Sequence, residues 1–289
     1  MSCKPANGFP TFSELGKECK DLFQKGYHIG LFKINVKNTT CHGIEVTTSG
    51  THTIDDKSGK GEVQIKAKYP QAPGLATTTR WDTENIYTNE ISFQDPIPGG
   101  KVGLNLRLNG DTGAKGGAVQ FLYEHRNLTL DASFDGGEGS NMLAGASIVG
   151  GHKGLLAGYK LKFDANENAL KANDLALGYR CRDYGVLLAL DNLSVVNGTY
   201  YNQVNRQVQV GASAVIGAEG GPQFSLAGRY LFNLNGHTIR AKIDNQSVLG
   251  LGMELKVMPG FMAFASGSID LKNFTAGPHK VGFGLEFGY

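Results

Sequence analysis

From Tyr27 onward the chain alternates apolar and polar residues with a period of two, in one short segment after another. Such alternation sends successive side chains to opposite faces, so each segment is a strand with one apolar and one polar face. In 101–109, Val102, Leu104, Leu106 and Leu108 interleave with Lys101, Gly103, Asn105, Arg107 and Asn109. In 127–135, Leu128, Leu130, Ala132 and Phe134 oppose Asn127, Thr129, Asp131, Ser133 and Asp135. The same holds for Leu161 and Phe163 against Lys160, Lys162 and Asp164, and for Ile239, Ala241 and Ile243 against Thr238, Arg240, Lys242 and Asp244. Near the end, Val281, Phe283, Leu285 and Phe287 oppose Lys280, Gly282, Gly284 and Glu286.

Turn signals separate these segments: Gly99-Gly100, Asn109-Gly110, Gly136-Gly137, Gly150-Gly151, Gly220-Gly221-Pro222, Asn235-Gly236 and Pro259-Gly260. All 9 prolines fall in the N-terminal segment or in these turns and connections, where no ladder donor is lost. The spacing gives roughly 19 strands of about ten residues, the length a tilted membrane strand needs. A content of 41 glycines in 289 residues suits a sheet protein with many tight turns.

A soluble β-sandwich would also alternate. Two features favour a membrane barrel: strand length is uniform, and the polar faces carry charges of both signs while the apolar faces carry almost none. No stretch approaches 18 uninterrupted apolar residues, so a membrane-spanning helix has no support and a spanning chain has only the barrel open to it.

Residues 11–25 depart from the period of two. Phe12, Leu15, Cys19, Leu22 and Phe23 recur at spacings of three and four, with Lys17, Lys20, Asp21, Gln24 and Lys25 on the other side, predicting an amphipathic helix. Thr11 with Glu14 forms a capping-box pattern, Pro10 precedes it, and Gly26 stands where a helix commonly ends with positive φ. The expected division is a segment 1–26 carrying the helix and a barrel over 27–289. With Glu14, Glu18 and Asp21 in this segment and no apolar leader, a cleaved presequence is not expected.

Catalytic and metal chemistry find no support. The glycine-rich stretches fit no phosphate-binding loop, the histidines lack ligand spacing, and no GxSxG elbow occurs. Cys3, Cys19, Cys41 and Cys181 are scattered and are expected to be free thiols. A net charge of +2 without any Lys/Arg run argues against nucleic acid and gives a slight preference for anions.

Three segments are similar to the eukaryotic mitochondrial porins, the voltage-dependent anion channels. They are Leu15-Gly16-Lys17 through Asp21, Phe23, Lys25-Gly26-Tyr27 and Gly30-Leu31; Ala241-Lys242-Ile243-Asp244-Asn245 with Leu249-Gly250-Leu251-Gly252; and Gly277-Pro278-His279-Lys280 with Gly282 and Gly284-Leu285-Glu286-Phe287. The resemblance implies an all-β membrane protein, a 19-stranded transmembrane barrel whose first and last strands close in parallel, with the N-terminal amphipathic helix inside the pore. Since 19 is this family's established strand number, the segment count above is no separate derivation of it.

By the same resemblance the chain is a voltage-gated, weakly anion-selective diffusion pore of the mitochondrial outer membrane, passing ATP, ADP, phosphate and small organic anions, with no enzyme activity or cofactor. Lys17, Lys20, Asp21 and Lys25 would line the constriction, Gly26 and Gly30 would form the hinge, and Lys17, Lys20, Lys25, Leu249 and Gly250 would contact nucleotides. Lys101, Arg107, Lys160, Lys162, Arg229, Arg240, Lys242 and Lys280 would line the lumen. The implied partners are the bilayer, a homo-oligomer, and cytosolic kinases or apoptosis regulators. Three departures bear on this: Thr79 stands where the family often has a lipid-facing glutamate tied to kinase docking, Met262 replaces a frequent lysine, and His28 replaces a frequent glycine and stiffens the hinge. Rival readings are a protein-import barrel, which calls for a long pre-barrel segment and a more acidic lumen, and a soluble all-β binding domain.

Overall fold

A computed structural model describes residues 9–41, 43–54, 58–69, 72, 74–138, 140–217, 221–232, 236–275 and 277–288. A 3₁₀ turn, Phe12–Glu14, and helix α1, Lys17–Gln24, precede the strands β1 Leu31–Thr39, β2 Glu45–Thr53, β3 Gly59–Lys68, β4 Leu75–Asp82, β5 Ile86–Gln94 and β6 Gly100–Asn109. There follow β7 Lys115–His125, β8 Leu128–Gly137, β9 Ser140–His152, β10 Leu155–Asp164, β11 Ala169–Arg180, β12 Tyr184–Asp191 and β13 Val195–Gln203. The ring is completed by β14 Val208–Ile216, β15 Gln223–Leu231, β16 Thr238–Asp244, β17 Val248–Met258, β18 Phe261–Asp270 and β19 Lys280–Gly288.

Each strand pairs antiparallel with its neighbours in sequence, and β1 pairs in parallel with β19, from Phe32 opposite Phe283 to Lys37 opposite Gly288. The parallel seam follows from the odd number: a meander reverses direction at every turn, so the first and nineteenth strands run the same way. Closure leaves the sheet without an edge. No helix among the described residues is long and apolar enough to cross a membrane, so any crossing is made by the strands.

Register carries the alternation from strand to strand. Leu104 and Leu106 stand opposite Ile91 and Asn89 of β5 and opposite Val119 and Gly117 of β7, and Leu130 stands opposite Tyr123 and Ile148. These side chains form the outer face, where Leu106 and Leu130 are exposed. The interleaved positions face α1 or the open lumen. Among the described residues the strands number 19 and run from 7 to 13 residues.

Two turn assignments need correction. Gly150-Gly151 lie within β9, and the chain reverses at Lys153-Gly154, both at positive φ (50° and 93°); Gly136-Gly137 end β8. Glycine in a strand leaves room for something to approach, and Phe9 lies against Gly151 from inside. Asn235 lies outside the described residues.

The alternation predicts an asymmetry between faces. Leu106→Arg or Leu130→Arg places a cation against hydrocarbon at a cost of about 2–4 kcal/mol near mid-membrane and should prevent assembly, whereas Asn105→Arg, one position over, should assemble. Heat-modifiable gel mobility after refolding into lipid vesicles measures this; equal yields would mean that the faces are misassigned.

Candidate functional site

Inside the ring the N-terminal segment lies on the wall. The backbone N–H of Thr11 donates to the Glu14 carboxylate at 3.1 Å, so the capping pair closes the 3₁₀ turn and not a continuous helix over 11–25. At Gly16 the chain adopts φ 68°, beside Leu187 and Thr199, and only then does α1 begin. Phe12 and Leu15 both reach the wall.

The seat for this segment is apolar. Leu15, Val149, Ala176 and Leu187 form the buried cluster, with Phe12, Leu156 and Ala189 against it. Cys19 and Leu22 continue the same face of α1 and are also buried. Gly158 lies under Phe12 and Leu15, and Gly211 under Leu22 and the Cys19 sulfur; a Cβ at either would stand about 3 Å from the helix side chains. The Cys19 thiol points at the carbonyls of Tyr200 and Ala212 (3.4 and 3.5 Å), and burial pushes its pKa up to about 11.

The far end of α1 meets charge. Lys242 Nζ donates to the Phe23 carbonyl at 2.8 Å, satisfying one of the acceptors a helix C-terminus leaves open and placing a cation at its negative end. The same ammonium stands 4.4 Å from the Tyr27 ring centroid. Gly26 (φ 78°) and Gly30 (φ 73°) turn the chain into β1, where the Gly30 N–H donates to Val281 O at 3.0 Å. Between them the His28 N–H donates to Ser266 Oγ at 3.0 Å, and its ring meets Phe264 edge-on with centroids 5.2 Å apart. Gly252, bare of a side chain, receives the Gly26 carbonyl and the Tyr27 ring.

A family model for eukaryotic porins matches residues 8–282. The chain belongs to that family. It is 34% identical over 282 residues to the Xenopus laevis protein named "Non-selective voltage-gated ion channel VDAC2", covering 96% of this chain and 98% of that one. It is 34% identical to the Drosophila melanogaster "Voltage-dependent anion-selective channel" and 32% identical to the Homo sapiens "Non-selective voltage-gated ion channel VDAC3", again over 96% of this chain and 98% of each.

In this porin Lys17, Lys20 and Lys25 all lie on the exposed side of the helical segment, away from the apolar seat. Two of them are paired, Lys17 with Glu14 at 3.8 Å and Lys25 with Asp21 at 2.6 Å, while Lys20 has no ion pair among the described residues. On the wall, Lys101 pairs with Glu124 at 3.1 Å, Lys160 with Asp174 at 3.5 Å, and Arg240 with Glu254 at 2.8 Å. Lys162 shares the inner face with Lys160, and Arg107 shares that of Lys101. Arg180 of the wall pairs with Glu18 of α1. Lys280 lies beside Gly30.

Leu249 does not face the lumen. It pairs with Ile243 and Ile269 on the outer face, because the period of two sends it opposite to Gly250, which lies inside under Lys242. Thr79 is on the outer face as expected, opposite Ile65 and Asn89, so the lipid side carries a neutral polar pair in place of an acid. Cys181, expected to be a free thiol, is disulfide-bonded. Cys19 and Cys41 form no disulfide, and Cys3 lies outside the described residues.

Sequence reasoning missed the apolar seat. Its signal is present: Val186-Leu187-Leu188-Ala189-Leu190 is apolar without interruption, which marks a strand covered on both faces. Glu254, Ser266 and Phe264 as partners of the hinge had no comparable signal.

Burial beside Phe264, followed by the nearby charge of Lys33, holds the His28 imidazole below its ordinary value, against a smaller opposing effect of Glu254. The docked hinge therefore binds fewer protons than a free one, so docking is complete above the ordinary histidine range, near pH 6.5, and weakens as the pH falls through it. NMR titration of the His28 ring should give a midpoint below 6.5 that rises in Phe264→Ser; a parental midpoint at or above 6.5 would show a solvated ring.

Proposed function

We propose that this porin is a voltage-gated, weakly anion-selective diffusion pore of the mitochondrial outer membrane, carrying ATP, ADP, phosphate and small organic anions. The observation that carries this reading is a closed barrel, apolar outside, with an amphipathic helical segment seated on its inner wall and its lysines on the exposed side. Residues 9–26 act as one unit within the barrel, and Gly26 and Gly30 are its hinge. Relatives named as channels support passive transport, and no chemical step is assigned.

Selectivity is weak because most charges compensate one another. Exposed pairs such as Lys17–Glu14 and Lys25–Asp21 leave little net field. Lys20 carries the uncompensated charge on the helix, and a permeating anion meets it at the narrowest point, within the screening length of about 8 Å. Lys17, Lys25 and Gly250 complete the contacts that would hold a polyphosphate briefly; Leu249 is not among them. Lys101, Arg107, Lys160, Lys162 and Lys280 set the background of the lumen. Homo-oligomers and apoptosis-regulator partners belong to the same reading, whereas kinase docking that depends on a lipid-facing acid does not, given Thr79.

Planar-bilayer recording in a KCl gradient tests the reading. The purified protein should give large currents with weak anion preference. Lys20→Glu should supply most of the reversal-potential shift of the Lys17, Lys20 and Lys25 triple change to Glu, and changing Lys101, Lys160 and Lys162 to Glu should do less. Strong cation preference in the high-conductance state would overturn the proposed selectivity, and equal shifts for the two triple mutants would remove the helix as its source.

A further inference from the structure

Besides the Glu18–Arg180 ion pair and the Lys242 hydrogen bond to Phe23 O, the amphipathic segment rests on two wall features of different kinds. One is the apolar seat under Leu15, Cys19 and Leu22. The other is ionic and sits directly under Gly26: a Cβ there would stand 2.6 Å from Glu254 Oε1 and 2.8 Å from Arg240 Nε. Arg240 donates to that oxygen through Nε at 3.0 Å, its Nη2 lies 2.8 Å from the same oxygen, and the two side chains are only 9% and 19% exposed.

The surroundings make Glu254 decisive. Arg240 stands directly opposite Arg229 across β15 and β16, a like-charge pair on one face. Arg229 reaches Gln209 at 3.4 Å, but its Nε is buried without a hydrogen-bond partner. Lys242, the next inward residue of β16, is occupied with Phe23 O and the Tyr27 ring. Glu254 is thus the acid that holds Arg240 flat on the wall and leaves Gly252, opposite Arg240, clear for the Gly26 carbonyl. Without it, the guanidinium is driven from Arg229 toward the backbone that now rests on it.

We propose that Arg240 and Glu254 are positioning residues for the pore constriction: their ion pair is a latch beneath Gly26, and opening it lets α1 leave the wall. A helix of eight residues does not hold itself together in water, so losing one attachment loosens the whole segment. Being charged and facing the lumen, the latch responds to salt and to the membrane field, whereas the apolar seat does not.

Cys19 reports on the latch without any current being measured. Its thiol is 2% exposed in the seat, so a charged maleimide reaches it only when the helix lifts. On a Cys41→Ser background in lipid vesicles, with labelling assigned by peptide mass, Glu254→Gln should raise the Cys19 labelling rate at least tenfold. The exchanged pair, R240E with E254R, keeps the charges and gives position 240 an acid to meet Arg229; it should return the rate to within about threefold of the parent. Glu254→Asp, which keeps the charge and shortens the reach, should fall between and serves if the glutamine variant does not assemble. Parental labelling in Glu254→Gln, or labelling of the exchanged pair as fast as that of Glu254→Gln in correctly assembled barrels, would overturn the proposal. A second arm rests on the channel reading above: Glu254→Gln should close at lower voltage and the exchanged pair should restore the parental value. Failure of the channel reading would show as absent current with the labelling pattern intact.

Discussion

Hydrocarbon offers no hydrogen bonds, and every other feature of this molecule answers to that fact. A strand in lipid must give each N–H and C=O to a neighbouring strand, and a sheet satisfies its last strand only by returning to its first. Here the return joins β1 to β19 in parallel. The ring then imposes the period of two, since each residue points either to lipid or to the lumen. Val102, Leu104, Leu106 and Leu108 keep to one side over a whole strand while Lys101, Asn105 and Arg107 keep to the other.

The interior has to solve a second problem. A barrel this wide cannot fill itself with its own wall side chains, so there is no ordinary core. The buried apolar cluster is local and consists of Leu15 laid on Val149, Ala176 and Leu187. The Arg240–Glu254 ion pair of the wall lies beneath the hinge, and glycine backbones at Gly158, Gly211 and Gly252 let the segment approach the wall closely. The helical segment thus divides the lumen into a lined side and an open side, which places Lys20 beside the path of a passing ion.

Much of the fold was legible in the sequence because alternation is a local property. A reader needs only nine residues to assign β6 or β8, and their faces agree with the register. The helix was legible as an amphipathic pattern but not its interruption at Gly16, which lies close against Leu187 and Thr199, residues remote in sequence. The lysines of the helical segment could be named, but Lys20 could not be told from Lys17 and Lys25, because pairing depends on rotamers. Leu249 was drawn into the site by its place in a motif, although its parity with Leu251 assigned it to lipid. Glu254 and Arg240 meet across strands, and only register reveals such a pair.

The seam between β1 and β19 also orders events in time. All other pairings join strands adjacent in sequence and can form as a growing meander, whereas Phe32 and Phe283 are separated by nearly the whole chain. Closure therefore carries the largest loop-closure cost of any pairing in the ring, and until it happens two unpaired edges remain open to other chains. The helical segment immediately precedes β1, so it is tied to one of the two edges that closure joins. Sealing of the wall therefore waits on β19, and the helical segment is carried on the strand that β19 must meet.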